Sequence, residues 1–424
     1  MSDWRENDSK SVWHPFTAVN TDTVNVPIVR GEGAWLIDAD GKRYLDAISS
    51  WWVNLHGHCN PHISKRVAEQ VGQLEHVMFA GFTHEPAVEL ATRLLEHMPE
   101  QFTKVFYSDN GSTAVEVALK MAFQYWFNQG TPKRKVIALE DAYHGDTFGA
   151  MSVGERGYFN QPFEHLFFGV DFIDLPTDEN WNEIEARVEK LFASGEFAGF
   201  IFEPLVQGSA GMRMYKAKYL EKLIVLAKKY DVLTISDEVM TGNGRTGKMF
   251  AFQHTNVTPD IVCVSKGVSG GALPIGLTCT RDEIYNHFLS DEKPKALLHG
   301  HSFTGNPICC AAVDASLDLF KEEYTWDNIK RIENLNKKYA EKLHTFENAE
   351  NIRQTGTILA FEIKDDQSDY FSSVRDEAYQ FFIDRGVLIR PLGNTIYTNP
   401  PYVITDEELD KVWDIVFDFL KLKA

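Results

Sequence analysis

Two short apolar runs each end on a residue that could do chemistry: VLTIS leads into Asp237, and DIVCVS leads into Lys266. Runs of this length and composition read as buried strands. A carboxylate and an amine are therefore expected at the C-terminal ends of successive strands, where open α/β sheets gather their functional groups. Those two groups are what pyridoxal phosphate requires. The amine attaches to the cofactor aldehyde, and the anion keeps the pyridine nitrogen protonated so that the ring can accept electrons. Either residue alone has a plainer reading, a solvated lysine in one case and an acidic turn, Asp237 with Glu238, in the other. The segment GVSGGALPIG after Lys266 favours the chemical reading, because glycines let a ring approach the backbone and apolar neighbours lower an amine's pKa.

Further stretches suit the same cofactor. In FYSDNGSTAVEVALK, Gly111, Ser112 and Thr113 lie between a strand and the start of a helix, where free N–H groups, the helix dipole and hydroxyls would converge on a phosphate. A plain helix cap with a tight turn is the other reading. The pattern is neither a nucleotide P-loop nor a dinucleotide fingerprint. Tyr143 in AYHGDTFGAMS is suited to lie flat on a planar ring, or to sit in a core. Trp51 and Trp52 in SSWWVNLHGH, with Trp13 and Phe16 in WHPFTAV, form aromatic groups that are either core or the wall of an elongated substrate site. Arg390 in VLIRPLG could grip a carboxylate or form a surface ion pair. His56 and His58 lack matched partners for a metal site, and none is expected.

These residues need a frame, and the sequence supplies one. From about Phe102, strand-like segments (KVFYS, KVIAL, FAGFIF, VLTIS, DIVCVS) alternate with helix-like ones (STAVEVALKMAFQYWF, YLEKLIVLAKKY), the pattern of a mostly parallel sheet covered by helices. Beyond about Phe320 the texture changes to a charged helix, short strands such as ILAFEI and VLIRP, and a terminal helix capped at Thr405. The expected fold class is α/β, with a large domain over 50–321. A smaller α+β domain is built from 1–49 and 322–424, the first segment carrying AWLID and RYLDAI strands. At 424 residues the chain is long enough for two such units.

Composition narrows the class. Hydrophobic residues at 44% and charged residues at 24% are globular values, and the net charge of −19 argues against nucleic acid or an anionic membrane as partner. The polar start MSDWRENDSK and the lack of a long apolar run point to a cytoplasmic enzyme. The five cysteines, Cys59, Cys263, Cys279, Cys309 and Cys310, are unpatterned and expected to be reduced and mostly buried.

Taken together, WHPFT, SSWW, HVMF, VALKMAFQYW, YHGDTFGAMSVG, VQGSAGMRMY, SDEV with TGNGRTGK, HGHSFTGNP and IRPLGNTIYTNPPY resemble the class III, fold type I aminotransferases along nearly the whole chain. VQGSAGMRMY, YHGDTFGAMS and SSWW are similar to the branch that acts on 8-amino-7-oxononanoate in biotin synthesis. The resemblance implies pyridoxal 5'-phosphate as cofactor, Lys266 as its covalent anchor and proton shuttle, Asp237 at the pyridine nitrogen and Tyr143 stacked on the ring. It implies Gly111 and Ser112 on the phosphate, joined by His301 and Ser302 from a neighbouring subunit, and hence a homodimer with shared sites. Trp51, Tyr143, Gly300, Arg390 and Tyr397 match substrate-contacting positions, with Arg390 on the keto acid's carboxylate and Arg245 another charged position nearby.

Three positions depart from that pattern. Phe16 stands where users of S-adenosylmethionine usually carry Tyr, Asn243 replaces an aromatic residue, and His301 replaces a common Pro. Phe16 and HGHSFTGN resemble the lysine-using variant; Trp51 and Tyr397 resemble the S-adenosylmethionine users. The expected donor is S-adenosylmethionine, with L-lysine the alternative. A broad ω-amine aminotransferase would share every cofactor residue, and a non-catalytic cofactor-binding regulator would normally add a basic DNA-binding module or lack the lysine.

Overall fold

The computed structural model describes residues 4–17, 25–157, 159–364 and 373–423. Its largest sheet has seven strands in the spatial order Phe102–Ser108, Gly276–Arg281, Ile261–Val264, Leu233–Asp237, Phe197–Phe202, Lys135–Leu139, Val170–Ile173. Gly276–Arg281 runs antiparallel to both its neighbours, and the five strands from Ile261–Val264 outward pair in parallel. The inner strands FAGFIF, LTISD and IVCV are buried at every residue, as expected of parallel strands covered on both faces.

Register then brings the two reactive residues together. Asp237 lies opposite Cys263, so the chain leaving Ile261–Val264 reaches Lys266 beside the end of the neighbouring strand. The helix Gly111–Asn128 packs on this sheet through small residues, among them Ala114, Ala118 and Ala122. Its first turn is tied down where the Thr278 hydroxyl donates to the Ala114 carbonyl at 2.9 Å. The helix N-terminus is thereby aimed at the same sheet end.

Both chain ends contribute to smaller sheets. Val387–Leu388 pairs in parallel with Arg43–Asp46, which pairs antiparallel with Trp35–Asp38, itself antiparallel to Ile28–Glu32. A second sheet joins Ala349–Thr355, Ile358–Ile363 and Thr395–Thr398. The charged segment expected to be helical is Glu323–Leu343, and the terminal helix Asp406–Leu422 begins with a Thr405–Glu408 capping box. Of VLIRP only Val387 and Leu388 are strand, so Arg390 lies just past its end. The cysteines are unpaired: Cys263, Cys279 and Cys310 are buried, Cys309 half-buried and Cys59 exposed. Among the described residues, no helix is long and apolar enough to cross a membrane.

Candidate active site

Asp237, buried, and Lys266, half-buried, lie at the sheet end and line a cavity of about 650 Å³ with Gly111, Ser112, Tyr143, His144, Glu203 and Ser265. Burial holds the Lys266 amine below the usual lysine range, and Asp237, Glu203 and Asp146, which favour the cation, oppose this only in part. No carboxylate oxygen lies within 4.0 Å of its Nζ among the described residues, and the amine instead sits 4.6 Å above the centre of the Trp52 ring. Asp237 is held from two sides: its Oδ2 meets His144 Nδ1 at 2.7 Å and its Oδ1 accepts from the Val239 amide at 3.0 Å. Its carboxylate is thus fixed in orientation while the Lys266 amine stays unpaired.

At the helix N-terminus, the Asn110 side chain accepts from Thr113 N at 2.9 Å, while Gly111 and Ser112 supply the first-turn amides that a helix cannot bond internally. The Ser112 hydroxyl bonds Thr147 Oγ1 at 2.7 Å and accepts from Thr147 N at 3.0 Å, drawing the 143–147 loop onto the cradle. Gly145 makes that approach possible. It has φ +123°, and a Cβ there would lie 2.3 Å from Ser112 Oγ. Tyr143 stands on the cavity wall, its amide donating to Glu203 Oε1 at 3.0 Å. Glu203 is wholly buried, and its carboxyl is pushed up to about 7 by burial. The Tyr143 hydroxyl is pushed up as well, chiefly by burial and next by Asp146. His144 and Asp146 belong to the YHGDTFGAMS motif, whose letters do not single them out. Only the fold, by bringing that loop to Asp237, distinguishes them.

A second cavity, of about 1080 Å³, opens from Lys266 past Trp51, Trp52 and Tyr143 to Phe16, Phe159, Arg213 and Arg353. Phe16 packs edge-on to Trp51 at 5.5 Å and to Phe159 at 6.2 Å. Arg390 lies beyond this group, its guanidinium 5.2 Å from the Trp51 ring centre. Four expected contributors are placed differently. Arg245 is buried outside both cavities, its guanidinium donating to the carbonyls of Pro400 at 2.8 Å and Trp52 at 3.3 Å. Tyr397 is also buried, and accepts from Trp52 Nε1 at 3.0 Å. It supports the wall from behind. Trp13 is 87% exposed and lines neither cavity. The glycines after Lys266 make close approaches mainly to the 53–63 segment: a Cβ at Gly267 would meet Leu55 at 2.8 Å, and one at Gly271 the Val53 carbonyl at 2.7 Å.

Gly300, His301 and Ser302 line neither cavity of their own chain. Asn243, the departure from an aromatic residue, has φ +58° and its carbonyl accepts from the Tyr402 hydroxyl at 2.6 Å. Asn is one of the few side chains that tolerate that backbone. Among the described residues, no cluster of three His, Cys, Asp or Glu could hold a metal.

A desolvated lysine and an oriented aspartate at adjacent strand ends, with an anion cradle at a helix N-terminus, define a fold type I pyridoxal-phosphate enzyme. The chain belongs to the class III aminotransferases, whose family model matches residues 16–420. It is 45% identical over 419 residues to the adenosylmethionine-8-amino-7-oxononanoate aminotransferase of Synechococcus elongatus, covering 96% of this chain and 98% of that one. The crystal structure of the enzyme of the same name from Methanocaldococcus jannaschii superposes with a TM-score of 0.93 at 37% identity, covering 98% of each chain. A PLP-bound amine transaminase from an uncultivated Pseudomonas species, 28% identical, gives a TM-score of 0.89 over 96% of this chain and 97% of that one. Class III aminotransferases depend on pyridoxal phosphate, and the lysine, aspartate and glycine cradle found here fit it.

Two outcomes test this geometry. Gly145→Ala should raise the Kd for pyridoxal phosphate about tenfold, within the roughly 1–3 kcal/mol range of backbone strain, as read from cofactor lost on dialysis. Unchanged retention would count against the loop's role in the cradle. Because a lowered pKa makes the free amine predominate at lower pH, cofactor capture by the apoprotein should persist to more acidic pH than imine formation by a free lysine derivative. Overlapping absorbance profiles would contradict a desolvated Lys266.

Proposed function

We propose that this enzyme transfers an amino group from S-adenosylmethionine to 8-amino-7-oxononanoate, giving 7,8-diaminononanoate in biotin synthesis. The observation that carries the reading is the placement of Lys266 where two cavities meet, one lined by the phosphate cradle and one long, aromatic-walled and of substrate size. The relatives named for this reaction, matched over nearly their full length, support it. Bound pyridoxal phosphate supplies an electron sink for the bond broken at the substrate carbon.

The chain's own residues do the rest. Asp237, oriented by His144, holds the proton at the pyridine nitrogen. Lys266, its amine held below the usual lysine range by burial, takes a proton from the substrate carbon and returns it at the neighbouring position. Gly111 and Ser112 would hold the phosphate, and Tyr143 would cover the ring face. Trp51 and Phe16 shape the mouth for two unlike substrates in turn, and Arg390 takes the keto acid's carboxylate. For Arg245 and Tyr397 we propose an indirect contribution, through Trp52.

We place the active form as a homodimer in the cytoplasm, the large domain spanning 50–321 and the small one 1–49 with 322–424. Gly300, His301 and Ser302 would complete a neighbouring subunit's site. Support comes from exposed apolar side chains in and near that segment, Leu298, Phe303, Met78 and Phe82. The Val387–Leu388 pairing with Arg43–Asp46 supports a small domain made from both termini.

Lys266→Ala should abolish transamination, a loss of at least about 10⁴-fold, while leaving the melting temperature within a few degrees. Retained turnover would refute the assigned role. The purified enzyme, supplied with the keto acid, should form the diamine with S-adenosylmethionine and much less with L-lysine, followed by chromatography. Preference for lysine would replace the donor, and preference for simple diamines over the biotin precursor would favour an ω-amine aminotransferase.

A further inference from the structure

Ser49, Ser50, Trp51 and Trp52 all have positive φ, at 53°, 46°, 72° and 74°. Four consecutive non-glycine residues in this region form a turn of left-handed helix, a conformation that L-residues adopt singly and at a cost. The turn sits at the active site: Trp51 walls the mouth of the larger cavity, and the Trp52 ring lies 4.6 Å beneath Lys266 Nζ. Such a conformation persists only where its surroundings overdetermine it.

One side chain, Asp46, ties the start of the turn at several points. The Asp46 carboxylate, wholly buried, accepts from Ile48 N at 3.2 Å and Ser50 N at 2.9 Å through Oδ1, and from the Ser50 hydroxyl at 2.8 Å through Oδ2. His58 Nε2 meets the same Oδ2 at 2.9 Å. The far side of the turn is held by the Ser49 hydroxyl on the Asn399 carbonyl, 2.8 Å, and by Arg245 on the Trp52 carbonyl. Asp46 itself lines neither cavity.

We propose that Asp46 is a positioning residue for the transamination: its carboxylate holds the left-handed turn that presents Trp51 to the substrate and Trp52 to the Lys266 amine. This rests on the reading of Lys266 as the reacting group. Without the anchor, the turn relaxes toward ordinary backbone and both indoles leave their places, while Asp237, Ser112 and the cofactor cradle stay intact.

The test compares Asp46→Ala with the double variant Asp46→Ala, Ser50→Gly. Glycine adopts positive φ without penalty, so it relieves the strain that Asp46 otherwise sustains. The single variant should bind pyridoxal phosphate with the visible absorbance of the parent. Its kcat/KM for both substrates should fall about 10- to 100-fold, chiefly through KM, since small displacements cost that much. The near-ultraviolet circular dichroism of its apoprotein should lose tryptophan signal. The double variant should recover several-fold in kcat/KM and part of that signal. If Asp46→Ala does not fold, Asp46→Asn is compared with and without Ser50→Gly in the same way. An unaltered kcat/KM in the single variant, or a loss that Ser50→Gly does not repair, overturns the proposal. Inactivity of the parent enzyme with the keto acid would instead overturn the substrate reading and leave the dichroism comparison standing.

Discussion

Everything at this site depends on a desolvated amine and a buried carboxylate held close without pairing to each other. An ionised group buried alone costs several kcal/mol, and direct pairing would repay part of that. The fold does otherwise. Asp237 is satisfied by His144 and the Val239 amide, and Lys266 is turned over the Trp52 face with its pKa lowered by burial. The interval between them can then take a flat ring whose nitrogen needs the anion and whose aldehyde needs the neutral amine. A Lys266–Asp237 ion pair would close the interval and protonate the nucleophile.

Holding that separation requires backbone that ordinary strands and helices do not provide. Lys266 itself has φ +47°, and the SSWW turn adds four further residues in the same region. At about 1–2 kcal/mol per residue for left-handed backbone, the turn alone stores an amount comparable to a domain's net stability. The surroundings bear this cost through hydrogen bonds: Asn399 and Tyr397 from a distant segment, Arg245 on the Trp52 carbonyl, and Asp46 just before the turn. The part of the chain after residue 386 therefore supports the site without lining the cofactor cavity.

Much of this was legible in the sequence because it is local. Asp237 and Lys266 end their strands, and Gly111 and Ser112 start a helix, as the apolar periodicity of VLTIS, DIVCVS and STAVEVALKMAFQYWF requires. The antiparallel insertion of Gly276–Arg281 between Phe102–Ser108 and Ile261–Val264 was not legible, since strand order is set by pairing across more than a hundred residues. Nor was the fate of Arg245 and Tyr397. Their residue types suit substrate contacts, but both side chains are consumed by Trp52 and the 399–400 backbone once the fold closes. The left-handed turn leaves no trace in SSWW, because neither Ser nor Trp signals positive φ as glycine does.

The donor question turns on the mouth. Phe16 replaces a hydroxyl with an apolar edge, yet it still packs on Trp51 and Phe159, so the aromatic wall survives its loss. Farther in, Arg213 pairs with Asp141 and Arg353 with Glu362 at 2.9 Å, while the Asp146 and Glu155 carboxylates on the same wall have no ion-pair partner among the described residues. Those two carboxylates would attract the ammonium of either donor and so do not separate them, but an aliphatic chain would leave the wide apolar faces uncovered. A nucleoside sulfonium offers a flat base to stack and a cation for the ring faces to attract. A cavity of about 1080 Å³ accommodates it. The aromatic wall therefore weighs more than the missing hydroxyl, and the chemistry of the mouth agrees with S-adenosylmethionine as the donor.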